Sequence, residues 1–300
     1  MDAFIYWLLS MSLTGALAGL AVWLVGRWQR MPRRIAHGLW AIPLLRLWLP
    51  FGLPSPASLL NLLPEGAVAT VPIPNQPALH MTNCLQLAES YAPLRWPDAQ
   101  LRIIFSCAGW VWLAGTLLLL LALLTAHHSN CRDAAAARPV GNGVYRSELV
   151  GTPAVYGIWH PRILVPPDMP EALLPSVLAH ENAHIRRMDN LWRLLAVATA
   201  CLHWFNPAVW LLLKAFQRET ELACDECAVA RMDATARRAY AHALVDAAAD
   251  TRALVSPFGG NPLRSRIAAL CSFRRLTAGS LAAFLALAAA LAWALLTTPV

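Results

Sequence analysis

The chain has 300 residues, 58% of them hydrophobic and 14% charged, with a formal net charge of +7. Soluble domains carry about 25% charged residues, so this balance excludes an ordinary globule and indicates an integral membrane protein. The excess positive charge sits beside apolar stretches instead of forming a basic face, which argues against direct nucleic-acid binding.

Ala3–Gly26 contains no charged residue and is long enough to cross the hydrocarbon core as a helix. It opens Met1-Asp2 without a basic region and is too long for a signal core, so an uncleaved span is expected. Arg27, Arg30, Arg33 and Arg34 follow it. A second span is expected near residues 35–53, interrupted by Arg46 and by prolines. The Pro-rich loop 54–100 offers Arg95 against Glu65, Glu89 and Asp98, so the positive-inside bias places it outside the cell. Its lone Cys84 suggests no disulfide framework. A third span is expected over 103–126 and a last one within 278–300. The resulting organisation is an N-terminal transmembrane region, 1–126, a cytoplasmic membrane-associated domain, 127–277, and a C-terminal transmembrane helix.

Within the middle region, residues 141–167 are rich in Val, Ile, Tyr, Gly and Pro and read as two or three short strands. Pro170-Glu171 then opens a helix that runs through "LAHENAHIRRMDN", residues 178–190. Residues four apart share a helix face, so His180 and His184 can grip one ion, and neutral imidazoles suit zinc. Glu181 between them is placed to act as a general base on a water molecule.

The third ligand is open to several readings. A metzincin pattern fails, because Arg187 and Asn190 stand where it needs glycine and histidine. The helix "RETELACDE", residues 218–226, supplies Glu221, with Asp225 one turn on to orient a ligating histidine, and Glu219 as competitor. Cys224 and Cys227 read as a helical structural pair, since no second Cys-x-x-Cys exists to complete a zinc ribbon. Tyr240 and His242 are candidate oxyanion donors. The 144–165 strands either accept an extended substrate by strand addition or merely roof the site.

"GIWHPRILVP", "LAHENAHIRRMDN", "WFNPAVW" and "RETELACDE", in that order, resemble the BlaR/MecR family of membrane zinc metallopeptidases. The resemblance implies a gluzincin-like α+β domain between the third and last of about four spans. It also implies one Zn2+ held by His180, His184 and Glu221, with Glu181 as base. The site would face the cytoplasm at the bacterial inner membrane. Implied partners are the bilayer, a protein or peptide substrate such as a transcriptional repressor, and a second copy in a homodimer. Because members can cut themselves near the last span, Ser272, Phe273, Arg274 and Arg275 form a candidate cleavage region. The family's beta-lactam detectors carry a penicillin-binding domain beyond that span. The chain read here stops at Val300, so antibiotic sensing by this polypeptide alone is not part of the expectation. The rival readings are a membrane-protein quality-control protease and a non-catalytic scaffold in which zinc only holds helices together.

One constraint follows from the ligand assignment. Residues 191–216 are apolar enough to span, but crossing would separate Glu221 from the histidines by about 30 Å, the thickness of the hydrocarbon core. The segment is therefore expected to enter the membrane and return, or to lie along it, with a break at Asn206-Pro207, or else to form a straight helix buried in the domain.

Overall fold

A computed structural model describes residues 2–28, 31–49, 51–63, 69–73, 76–83, 98–141, 143–230, 232–250, 262–273 and 277–299. The chain is mostly helical. Helices α1 (Asp2–Gly26), α4 (Asp98–Ala136) and α10 (Ala278–Leu296) each contain a stretch long and apolar enough to cross a bilayer. A helix satisfies its backbone groups internally, as hydrocarbon requires. At 39 residues α4 continues well past the apolar run expected to end at 126, because nothing before Pro139 breaks its ladder.

Residues 35–53 do not make one long helix. They form α2 (Arg33–Leu39) and α3 (Ala41–Trp48), which meet at Trp40. Pro43, in the first turn of α3, has no amide to bond Leu39, so the ladder is interrupted there. Arg46, the charge within this stretch, is turned inward and is almost fully buried.

Two small sheets flank the helices. In the first, β1 (Phe51–Gly52), β2 (Ala69–Ile73) and β3 (Gln76–Asn83) pair antiparallel in the order β1-β3-β2; β1 lies at the end of the expected second span, and β2 and β3 lie in a stretch that reads from sequence only as a Pro-rich loop. The chain just after β1 meets the end of α10, where the Thr298 amide donates to the Leu53 carbonyl at 2.9 Å. The second sheet has four strands instead of the expected two or three. These are β4 (Arg138–Gly141), β5 (Val144–Arg146), β6 (Ala154–Tyr156) and β7 (Arg162–Val165), in the order β4-β5-β7-β6 with β5 and β7 parallel.

After a short 3-10 turn come α5 (Leu174–Arg187), α6 (Asp189–Leu202), α7 (Pro207–Val229), α8 (Ala234–Asp250) and α9 (Pro262–Cys271). The apolar segment 191–216 is divided between α6 and α7, which form a hairpin around residues 203–206. Asn206 caps α7 by accepting from the Ala208 amide at 2.9 Å, and Pro207 occupies the first helical position.

The hairpin tip packs beside the middle of two long helices. Asn206 Nδ2 donates to Ser12 Oγ of α1 at 2.8 Å, and Trp112 Nε1 of α4 donates to the Leu202 carbonyl at 2.7 Å. Small residues permit this approach: a Cβ on Gly19 would meet Leu212, and one on Gly115 would come within 2.8 Å of the Trp204 ring. Gly115→Val should therefore destabilise the protein by about 1–3 kcal/mol, the usual cost of overpacking. The reading is a lowered unfolding midpoint in detergent; an unchanged midpoint would mean that Trp204 does not pack there.

Candidate metal centre

The site lies between α5 and α7. Helical spacing brings His180 and His184 onto one face of α5, with Nε2 atoms 3.2 Å apart. From α7, Glu221 Oε2 lies 3.4 Å from His180 Nε2, and Oε1 lies 3.7 Å from His184 Nε2. Ligands at about 2.0–2.1 Å around a tetrahedral ion stand about 3.3–3.4 Å from one another. Two nitrogens and a carboxylate oxygen thus converge at the separation that a divalent ion requires.

Each histidine is oriented from behind. His184 Nδ1 is 2.6 Å from Asp189 Oδ2. Asp189 reaches back because Met188, between α5 and α6, adopts a left-handed conformation with φ 54° and turns the chain sharply. His180 Nδ1 is 2.9 Å from the Tyr240 hydroxyl and 3.1 Å from Asp225 Oδ1. A proton on either Nδ1 leaves the Nε2 lone pair for an ion, which is how such carboxylates fix a ligand's tautomer. Arg266 of α9 makes two 2.7 Å bonds to Asp225 and places its third nitrogen 3.6 Å from Glu221 Oε2. Arg193 of α6 bonds Glu221 Oε1 at 2.5 Å.

These contacts set the charges. Burial would raise the carboxyls of Asp225 and Glu221, but the histidines and Arg266 hold both below the usual carboxylate range. Burial dominates at Glu181 and raises it above its ordinary value, bringing this buried carboxylate toward the range useful to a base at neutral pH. At His184, burial opposes the charged form, yet Asp189, Cys224 and Glu221 raise the imidazole to about 9.

Several expectations need correction. Tyr240 does not stand over the cleft as an oxyanion donor: it is buried and donates to Asp225 at 2.7 Å, on the Nδ1 side of His180. His242, two residues on and about 200° round α8, is exposed and points away from Tyr240's face. Ser272 is exposed and Phe273 packs against the cluster around Tyr240 and Val229; Arg274 and Arg275 lie outside the described residues. The edge strand β6 is not open for peptide pairing at its centre, because Asn190 Nδ2 donates to the Val155 and Gly157 carbonyls, each at 2.9 Å. Glu219 turns from the site to Arg33.

Sequence reasoning missed Asp189, Arg193, Arg266 and Cys224 as parts of this site. Asp189 stands within the quoted histidine motif, just past the helix end, which was its available signal. Cys224 shares a face with Glu221 three residues earlier and groups with the two histidines, their ligand atoms all within 4.8 Å. Arg266 is 86 residues from His180 and had no local signal.

A protein with apolar membrane-length helices, a His-Glu-x-x-His helix and a glutamate facing it from a second helix has the makings of a membrane metallopeptidase. The chain belongs to the BlaR1 peptidase M56 family, whose model matches residues 6–271. It is similar to the regulatory protein BlaR1 of Bacillus licheniformis, 33% identical over 91 residues, covering 29% of this chain and 15% of the relative. It is similar also to the methicillin resistance mecR1 proteins of Staphylococcus aureus and Staphylococcus epidermidis, 25% identical over 83 residues, or 26% of this chain and 14% of each relative. The matched segments thus span about one seventh of those relatives.

Two measurements check the site. Asp189→Asn should lower divalent-ion affinity about 10–100-fold, the usual loss when an outer partner of a histidine ligand is removed; unchanged affinity would detach Asp189 from the site. Because His184 is raised to about 9, it is protonated at neutral pH without an ion. Ion binding must then release protons. Titration calorimetry in buffers of different ionisation enthalpy should show that release, with affinity increasing as pH rises toward 9. Affinity independent of pH would contradict it.

Proposed function

We propose that this protein is a zinc-dependent endopeptidase of the bacterial inner membrane, gluzincin-like in its ligand set. Its substrate on this reading is a cytoplasmic protein such as a transcriptional repressor, or the chain itself. The observation that carries the reading is the convergence of His180 Nε2, His184 Nε2 and a Glu221 oxygen at 3.2–3.7 Å, with buried Glu181 on the same helix as the histidines. The regulatory and resistance roles in the names of the similar BlaR1 and mecR1 proteins favour signalling over general protein turnover.

A divalent ion held by those three residues would polarise a peptide carbonyl and lower the pKa of water. The chain's own groups do the rest. Asp189, Asp225 and Tyr240 hold the two imidazoles in register, and Arg193 and Arg266 hold the Glu221 carboxylate. Glu181 takes the proton of the attacking water and returns it to the leaving amine.

The contacts also support a membrane arrangement of four crossings, with α2 and α3 together as the second. Arg33, at the start of α2, donates to Gly26 at the end of α1, whereas the chain after α3 meets the end of α10. The arginines after α1 put that shared end inside. The α6–α7 hairpin is then re-entrant, its tip level with Ser12 of α1 and Trp112 of α4. Glu221 is 15 residues from Asn206, or about 22 Å along a helix, which returns it to the inner membrane surface beside the histidines.

Glu181→Gln should keep its bound ion while cleavage of substrate in proteoliposomes falls by about 10²–10⁴-fold, the contribution of a general base. Glu221→Ala should lose ion. Cleavage that survives Glu181→Gln would remove the base, and full ion content in Glu221→Ala would remove the ligand. One or two discrete product bands favour signalling; degradation of many unfolded clients would favour quality control.

A further inference from the structure

We infer that Cys224 is a fourth, sulfur ligand of the same metal site, able to close it in a resting state; the inference rests on the metal reading of His180, His184 and Glu221. Cys224 is completely buried on α7, and its sulfur and one imidazole nitrogen from each histidine all lie within 4.8 Å of one another. Glu221 and Cys224, three residues apart, present adjacent side chains on one helix face, so α7 offers an oxygen and a sulfur to the pair of nitrogens on α5. Cys227, a further three residues on, is carried round the helix away from Glu221.

The distances describe a sulfur held just outside bonding range. Cys224 Sγ rests 3.1 Å from the His180 carbonyl oxygen. Around a tetrahedral ion with sulfur at about 2.3 Å and nitrogen at about 2.0–2.1 Å, a sulfur and a nitrogen stand about 3.6 Å apart. Since these atoms lie within 4.8 Å of one another, a shift of at most about 1 Å by the thiol separates the two arrangements. In the open one, two histidines and Glu221 leave the fourth position to water, as a hydrolytic site needs. In the closed one, the thiol gives its proton to solvent, sulfur takes that position and one water molecule is released. Four protein ligands are the mark of a zinc site that does no chemistry. The ligand set thereby contains its own off-state, and whatever moves α7 against α5 selects between the two.

The test uses the full chain in detergent or nanodiscs, loaded separately with Co2+ and Zn2+. The wild-type cobalt form should show a thiolate-to-metal charge-transfer band in the near ultraviolet, and zinc X-ray absorption should require one sulfur at about 2.3 Å beside lighter ligands at about 2.0–2.1 Å. Both signatures should vanish in Cys224→Ser and persist in Cys201→Ser and Cys227→Ser. Ion affinity should fall at least about tenfold in Cys224→Ser, since a direct ligand should matter no less than the outer partners whose loss costs 10–100-fold. Basal cleavage should rise severalfold as the fourth position stays open. A wild-type protein that binds one ion with only nitrogen and oxygen neighbours would overturn the inference while leaving the peptidase reading intact. A sulfur signal that survives Cys224→Ser would also overturn it. A protein that binds no ion would overturn both. The wild-type spectra decide even where the variant fails to fold.

Discussion

The structure depends on one distance requirement. Nitrogens on α5 and a carboxylate on α7 lie 3–4 Å apart, although the chain between them contains an apolar stretch as long as a membrane span. A hairpin is the solution: α6 descends, residues 203–206 turn, and α7 returns as one unbroken helix of 23 residues. Proline cannot extend the incoming ladder and asparagine caps the outgoing one, so the turn is written into Asn206-Pro207. The polar groups at the tip find partners on α1, α3 and α4, among them the 3.0 Å contact of His203 Nε2 with the Leu47 carbonyl. Without such partners, the break in the helical ladder would leave buried amides and carbonyls unpaired.

A second requirement is electrostatic. Asp189 and Asp225 are essentially inaccessible to water, and burying a carboxylate costs several kcal/mol unless it is paired and hydrogen-bonded. Asp225 meets this cost with a two-pronged arginine and a tyrosine, Asp189 with a histidine and the guanidinium of Arg187 at 3.4 Å. Their partners come from α5, α8 and α9, so the pairs, with Asp189 on α6 and Asp225 on α7, clamp five helices around the site. Arg266 has a double effect. It stabilises Asp225, yet as a cation 3.6 Å from Glu221 it would compete with a divalent ion for the same carboxylate.

The elements that were legible in the sequence were those governed by local rules. Uncharged runs of about 20 residues marked α1, α4 and α10, and the i, i+4 spacing of His180 and His184 marked α5. Asn206-Pro207 marked the hairpin turn. The break in the second apolar stretch was not legible, although Pro43 caused it, because a proline in a first helical turn commonly starts a helix. Strands β2 and β3 were masked by prolines within a stretch that otherwise reads as loop. Arg266 and Tyr240 were beyond reach for a different reason. Their roles depend on α8 and α9 folding back onto α5 and α7, a tertiary fact with no periodic signature. Tyr240 was noticed for its proximity in sequence to the ligand helix, and it proved close in space as well, but on the far side of the imidazole.

The continuity of α7 ties these levels together. Leu212, against Gly19 of α1, and Glu221, Cys224 and Asp225, against the α5 histidines, belong to one rigid helix. A helix this length does not bend freely without a proline or glycine in its interior, and α7 has neither after Pro207. Its register along α1 therefore fixes the height of three site residues together. Metal sites tolerate only about 0.5 Å of error in ligand position. The small residues that let α7 approach α1 are thus part of the candidate metal centre's geometry, although they lie two to three helical turns from it.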